Sequence, residues 1–370
     1  MTGTAALAFA ETTDGITVGI SRVVASRVLK EDRKVYIYLP ESYQQSRSYR
    51  RYPVLYVRDG GKFFHSFTGA VQHLTSDATA HAPEMIVVAI VETDRVRDSS
   101  STHSLQGFSG KEDEGFKSSG GGENFRRFLQ QELVPYIDKE FSTSAYRIYC
   151  GYSFTGLSVI DELLDEDTVF DALLMIDPSW WWDDYVMEKR ANATLAGRKF
   201  SRKQLFIAAS GEAYPEKYFI KARDVSSLSE IVRRTNPAGL EWKFERYADE
   251  CHHSMALRAL YDGLTYFFRG YQPSLHELYN DSEKLRSRYE TLSARLGERV
   301  SLSEDLLTFF GGQFLGNFKE PAGDPLFRDG YRRLSGSRAA WSGLAEASMA
   351  KGDKSRADNA KKKLESLPTN

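Results

Sequence analysis

The sequence predicts an α/β fold, a mostly parallel central sheet flanked by helices, followed by a small all-α C-terminal appendage. Three observations predict it. Short β-rich runs alternate with helical patterns through the first 270 residues. Several of those runs are continuously apolar, as strands covered on both faces are. After Tyr271-Gln272-Pro273 the β signal stops and only helical periodicity continues.

The expected strands are residues 34–39 (KVYIYL), 53–58 (PVLYVR), 85–91 (MIVVAIV), 146–150 (YRIYC), 172–176 (ALLMI), 204–209 (QLFIAA) and 240–247 (LEWKFERY). Apolar residues at Phe125, Phe128, Leu129, Leu133, Ile137 and Phe141 give 124–141 a helical period, and 254–268 repeats that pattern. Residues 98–122 are rich in Ser, Gly and charge and read as a long loop, a feature disproportionately tied to function. Beyond Pro273, helices are expected over 275–296, 302–315 and 339–367, with Gly352 ending one helix before the next begins. One helix–turn–helix unit cannot bury its apolar face alone, so it packs on the preceding helices or on a partner. The expected division is 1–272 and 273–370.

Composition excludes several classes. With 41% hydrophobic and 27% charged residues in a chain of 370, the protein reads as an ordinary globular one. A net charge of -2 gives no electrostatic reason to expect nucleic acid or an anionic membrane as partner. No apolar run approaches the roughly 20 residues needed to span a bilayer. Ala8-Phe9-Ala10 has the look of a signal-peptidase site but lacks a basic segment before it, so a small-residue tail is the leading reading. A cytoplasmic location is accordingly favoured, with a secreted or periplasmic one following if a signal peptide was trimmed. Cys150 and Cys251 read as two buried free thiols rather than a disulfide framework.

The chemistry concentrates at Gly151-Tyr152-Ser153-Phe154-Thr155-Gly156, which sits between an apolar strand and an apolar helix. Strand, sharp turn and helix is the setting in which a serine between small residues becomes a nucleophile. The usual pattern is G-x-S-x-G, and here Thr155 stands in place of the last glycine. Acyl transfer on such a sheet needs a base and an orienting acid in the chain order Ser, acid, His. The base is expected from the adjacent His252 and His253, which follow the 240–247 strand. Glu212, just past the 204–209 strand, is the expected acid, with Glu216, Asp224 and Glu250 as competitors. The backbone amides of Phe154 and Gly61 are the expected oxyanion donors, Gly61 lying in the loop after the PVLYV strand. No Cys/His cluster, Walker loop or G-x-G-x-x-G is present, so neither metal nor cofactor is expected.

With those residues in place, the chain resembles the esterase-D-like branch of the α/β hydrolases, which includes enterochelin esterases, feruloyl esterases and mycolyltransferases. RKVYIYLPESY, YPVLYVRDGGKFF, the Glu92–Asp98 stretch, GGGENFRRFLQQELVPYIDKEF, IDPSWWWDD and Glu250-Cys251-His252-His253-Ser254-Met255 carry the resemblance in order. The resemblance implies an α/β-hydrolase fold and places the base on His252. It also implies that Arg97, Trp181 and Trp182 line the substrate cleft. Tyr152 and Thr155 depart from the family's His and Gly, and Asp177 from its serine. Thr155 brings a β-branched side chain to a tightly packed turn, which would shift the turn or narrow the oxyanion hole. The last 26 residues resemble a single degenerate tetratricopeptide-like unit, a candidate surface for protein contact or dimerisation.

The implied activity is serine hydrolysis of a carboxylic ester or thioester, with a bulky or aromatic small-molecule substrate. An acyltransferase using the same acyl-enzyme and a non-catalytic binding module are the alternatives.

Overall fold

The structure, a computed structural model, describes residues 15–48, 50–76, 80–211, 224–274, 277, 282–300, 338–350 and 352–367. The Ala8-Phe9-Ala10 tail, Glu212, Glu216 and the helix expected over 302–315 lie outside the described residues.

In chain order the elements are β1 (Ile20–Ser26), β2 (Glu31–Tyr38), α1 (Tyr43–Ser46), β3 (Tyr52–Val57), α2 (Gly60–Thr75), β4 (Ile86–Ile90) and α3 (Arg95–Ser99). Then come α4 (Gly122–Phe128), a π-helical turn (Leu129–Leu133), α5 (Val134–Glu140), β5 (Thr143–Tyr152), α6 (Gly156–Leu164), β6 (Ala172–Ile176) and α7 (Trp182–Leu195). β7 (Lys199–Ser210), α8 (Ser226–Thr235), β8 (Ala238–Tyr247) and α9 (Ala256–Phe267) complete the sheet layers. α10 (Ser282–Leu296), α11 (Arg338–Ala350) and α12 (Lys354–Glu365) follow.

The eight strands form one sheet in the order β1-β2-β4-β3-β5-β6-β7-β8. β1, β2 and β4 pair antiparallel, and every pairing from β4 through β8 is parallel. This is the α/β-hydrolase-like sheet the sequence predicts. Its central strands β3, β4 and β6 are buried at every residue, which explains their unbroken apolar runs. The pattern missed β1, whose residues 21–23 are exposed: an edge strand shows little apolar signal. The expected single helix over 124–141 is α4 and α5 joined by the π turn.

One face of the sheet packs against α2, α9 and α10 through Phe67, Leu260, Leu264, Leu285 and Tyr289. The other face packs against α4 to α8 through Phe125, Phe128, Leu157, Met187 and Leu228. α10 therefore shares the core of the sheet layer, and the Tyr289 hydroxyl donates to the Tyr271 carbonyl at 2.7 Å. α11 and α12 form an antiparallel hairpin broken at Gly352, whose φ is 76°. No helix among the described residues is long and apolar enough to cross a membrane.

The chain runs from β3 outward to β4 and then returns to place β5 on the other side of β3. Such a reversal opens a crevice at the carboxyl ends of the two strands. The turns after β3 and β5 face that crevice.

Candidate active site

Ser153 follows β5 directly, with φ at 57°, and a 3-10 turn over Ser153–Thr155 leads into α6. The turn needs two close approaches. A Cβ on Gly151 would lie 2.5 Å from the Thr155 carbonyl oxygen, and one on Gly156 would lie 2.7 Å from Pro178 Cβ. The packing that demands a missing side chain thus falls on positions 151 and 156. Thr155 has ordinary helical backbone angles, φ -69° and ψ -16°, and its buried side chain points to Asp59. The turn therefore forms with threonine there, and the local reason for glycine has moved one residue on.

Asp177 occupies the equivalent place after β6. Tyr152 pairs with Ile176 across β5 and β6, so the next residue on each strand is Ser153 and Asp177. Asp177 has φ 41°, its N–H donates to the Ala208 carbonyl at 2.8 Å, and its Oδ1 accepts the Ser210 N–H at 3.2 Å. These bonds fix the carboxylate with Oδ2 turned outward.

His252 arrives on the loop between β8 and α9. Its Nε2 lies 3.0 Å from Ser153 Oγ and its Nδ1 lies 2.7 Å from Asp177 Oδ2. Tyr152 stacks its ring on the imidazole at 4.7 Å and donates its hydroxyl to the His252 carbonyl at 2.7 Å. Burial, with Asp177 adding to it, pushes the Tyr152 phenol up to about 12, so the hydroxyl stays a donor at neutral pH. His253, the neighbour weighed against His252, is exposed and meets it edge-on at 5.2 Å.

The carboxylate on the imidazole is therefore Asp177, which the sequence reading treated only as a departure from serine. Glu212 is outside the described residues. Asp224 is engaged by Arg246 and Ser226, and the Glu250 carboxylate by the Ser254 hydroxyl. The signal for Asp177 was a carboxylate immediately after an unbroken apolar strand, still in the order Ser, acid, His.

The family model for esterases ("Putative esterase") matches residues 26–213. The chain belongs to this esterase family. It is a carboxylic-ester hydrolase. Ferri-bacillibactin esterase BesA of Bacillus subtilis (strain 168) is 25% identical over 215 residues, which cover 55% of this chain and 74% of that protein. An IroE-like serine hydrolase from Shewanella oneidensis superposes with a TM-score of 0.71 at 25% identity, over 94% of this chain and 99% of that one. Siderophore hydrolase EstB from Aspergillus nidulans shares the fold, with a TM-score of 0.55 at 19% identity over 69% and 96% of the two chains.

Around the esterase's serine the turns are braced by charge. Behind the β3 turn, the buried Arg58 guanidinium grips Glu92 with two bonds of 2.8 Å and donates to Ser158 at 2.9 Å. Burial opposes the Glu92 charge, but Arg58 overcomes it and holds the carboxyl below its usual range. Glu92 in turn accepts the Asp59 N–H at 3.0 Å. Arg97 is held by Glu31 at 2.6 Å and by Asp98 at 2.7 Å, on the β2 side of this brace. The arginine that reaches the serine turn is Arg95, which bonds Asp59 and the Tyr152 carbonyl. Trp182 is fully buried and meets the Phe154 ring at 4.9 Å, whereas Trp181 is half-buried beside Phe108 and Phe116. The long loop thus supplies an aromatic wall, with Phe108 48% exposed.

A cavity of about 880 Å³ opens elsewhere, between Tyr146, Asp171, Lys203 and Leu296. These residues lie at the amino-terminal ends of β5 to β7 and at α10, the end of the sheet remote from Ser153. Among the described residues no group of three or more His, Cys, Asp or Glu side chains is placed to hold a metal ion.

Proposed function

We propose that this esterase works through a Ser153–His252–Asp177 triad and a covalent acyl-enzyme. The observation that carries the reading is the pair of contacts on one imidazole, 3.0 Å to Ser153 Oγ and 2.7 Å to Asp177 Oδ2. With its Nδ1–H donated to Asp177, the imidazole leaves Nε2 free to accept the serine proton. Ser153 Oγ then bonds the ester carbonyl carbon, and the carbonyl electron pair moves to oxygen. The Phe154 and Gly61 amides receive that oxyanion. Collapse expels the alcohol, which takes the proton from His252. Water repeats the sequence on the acyl-enzyme, releasing the acid and restoring the serine.

For the substrate we propose an iron-carrying siderophore ester, the class named for the Bacillus subtilis relative. Supporting it, Phe108, Phe116 and Trp181 offer flat apolar faces beside Phe154, and the Lys62 ammonium sits 4.8 Å from the Tyr152 ring centroid, where it favours an anionic ligand.

A fluorophosphonate should label the wild-type protein and not Ser153→Ala, read by intact mass. Folded protein that resists labelling would overturn the triad reading. Turnover of ferric siderophore esters is expected at a higher kcat/KM than that of p-nitrophenyl acetate. The reverse order would replace the substrate while leaving the chemistry in place.

A further inference from the structure

Asp59 is by position the N-cap of α2, yet its side chain makes no capping bond. An aspartate there ordinarily accepts the second or third amide of the helix, here Gly61 or Lys62. Its carboxylate is instead drawn aside. Arg95 Nε donates to Oδ1 at 2.7 Å and Nη2 to Oδ2 at 3.0 Å, while the Thr155 hydroxyl lies 3.1 Å from Oδ2.

The same two side chains also hold the serine turn. Thr155 Oγ1 accepts the Tyr152 N–H at 3.0 Å and lies 2.8 Å from the Tyr152 carbonyl oxygen. Its single proton serves Asp59 or that carbonyl at any moment. Arg95 Nη2 reaches the same carbonyl at 3.2 Å. The end of β5, the start of α6 and the turn after β3 are thus tied at one point.

The tie bears on which amides stay open. The Asp59 carbonyl already accepts the N–H groups of Lys62 at 2.9 Å and Phe63 at 3.1 Å. Gly60 and Gly61 are first-turn residues with no carbonyl one turn back to accept their amides. A Cβ on Gly60 would lie 2.6 Å from the Ala89 carbonyl carbon, so that residue is pressed against β4, whereas a Cβ on Gly61 would meet no other part of the fold within 4 Å. Asp59 itself is left-handed, φ 56° and ψ 41°.

We infer that Thr155 and Arg95 are positioning residues that hold the Asp59 carboxylate away from α2, so that the Gly61 amide stays open for the oxyanion. This rests on the oxyanion role given to Gly61 above. It also gives a purpose to the threonine that replaces the pattern's glycine.

The test combines steady-state kinetics with the affinity of an alkyl boronic acid, whose tetrahedral adduct with Ser153 places an oxygen in the oxyanion site. Thr155→Val should lower kcat at least tenfold with KM within twofold, and weaken boronate binding in proportion. Thr155→Ser, which keeps the hydroxyl, should return both to within threefold of wild type. Arg95→Met, at a side chain 36% exposed, should repeat the kcat loss if the valine variant does not fold. Fluorophosphonate titration normalises each rate to folded sites. A lowered melting temperature with kcat and boronate affinity unchanged would overturn the inference. Gly61→Pro separates it from the reading beneath it. If removal of that N–H leaves kcat intact in folded protein, the oxyanion assignment fails. If it abolishes kcat while Thr155→Val and Arg95→Met have no effect, only the positioning role fails.

Discussion

The two ends of the parallel sheet use polar residues in opposite ways. At the carboxyl ends, Asp59, Ser153 and Asp177 follow β3, β5 and β6, and all three have left-handed backbone, with φ between 41° and 57°. Each such residue costs about 1–3 kcal/mol, less for aspartate, and persists only where its surroundings hold it. The Ser153 and Asp177 side chains meet on His252, and the Asp59 carboxylate meets Arg95 and Thr155. At the amino ends, polar side chains satisfy strand backbone instead. Asp171 accepts the Arg147 N–H at 3.0 Å, Glu298 accepts the Tyr146 N–H at 2.9 Å, and Lys203 donates to the Phe170 carbonyl. Of the left-handed residues there, Arg202 lies where β7 slips register against β8. The cavity thus lies at the amino end, and the linked Ser153, His252 and Asp177 side chains at the other.

This contrast breaks if edits at the two ends have similar effects. The largest loss is expected for Ser153→Ala and His252→Ala, each lowering kcat on a p-nitrophenyl ester by about 10⁴-fold or more. His253→Ala, at the exposed neighbour, should stay within threefold. Asp177→Asn keeps the shape but favours the wrong imidazole tautomer, and should cost about 10³-fold in kcat with the melting temperature little changed. A drop under tenfold would show that another group orients His252. Tyr152→Phe removes the bond to the His252 carbonyl but keeps the stacked ring, so a threefold to tenfold fall in kcat is expected.

The smallest effect on turnover is expected for Glu162→Gln, toward the amino end. Glu162 is buried on α6, bonded to Thr168 of the cavity wall, and burial pushes its carboxyl up to about 8. Its folded value lies above its unfolded one, so its neutral form stabilises the fold below about pH 4.5. That contribution is lost as pH rises toward 8. The glutamine variant should flatten this decline in urea midpoints between pH 5 and 8 while leaving kcat unchanged. An unchanged slope would mean that the Glu162 carboxyl ionises in the folded protein as it does in the unfolded chain, with no upward shift.

The sheet was legible because its central strands are buried on both faces and leave unbroken apolar runs, as 172–176 does. Ser153 and His252 were legible because a nucleophile turn has a local pattern and few histidines follow it. Asp177 was not, because its role depends on the register of β5 with β6 and on the Ala208 and Ser210 bonds that aim it. Such pairings leave no mark in a linear pattern. Thr155 read as a defect for a similar reason: its partner Asp59 is 96 residues away. The aromatic pair divided in the same way, since the burial of Trp182 and the partial exposure of Trp181 follow from packing against Phe116 and Phe154, distant in sequence from one another.

Ser153 and Asp177 close β5 and β6, while His252 comes only after β8, the last strand of the sheet. A chain emerging from the ribosome through β6 carries the hydroxyl and the carboxylate but not the His252 imidazole that bridges them. If His252 is the base, as proposed, the serine lacks it until the chain beyond the edge strand is in place. On the triad proposed above, the order of residues would act as a safety catch, with acylating power reserved for a chain whose sheet is complete.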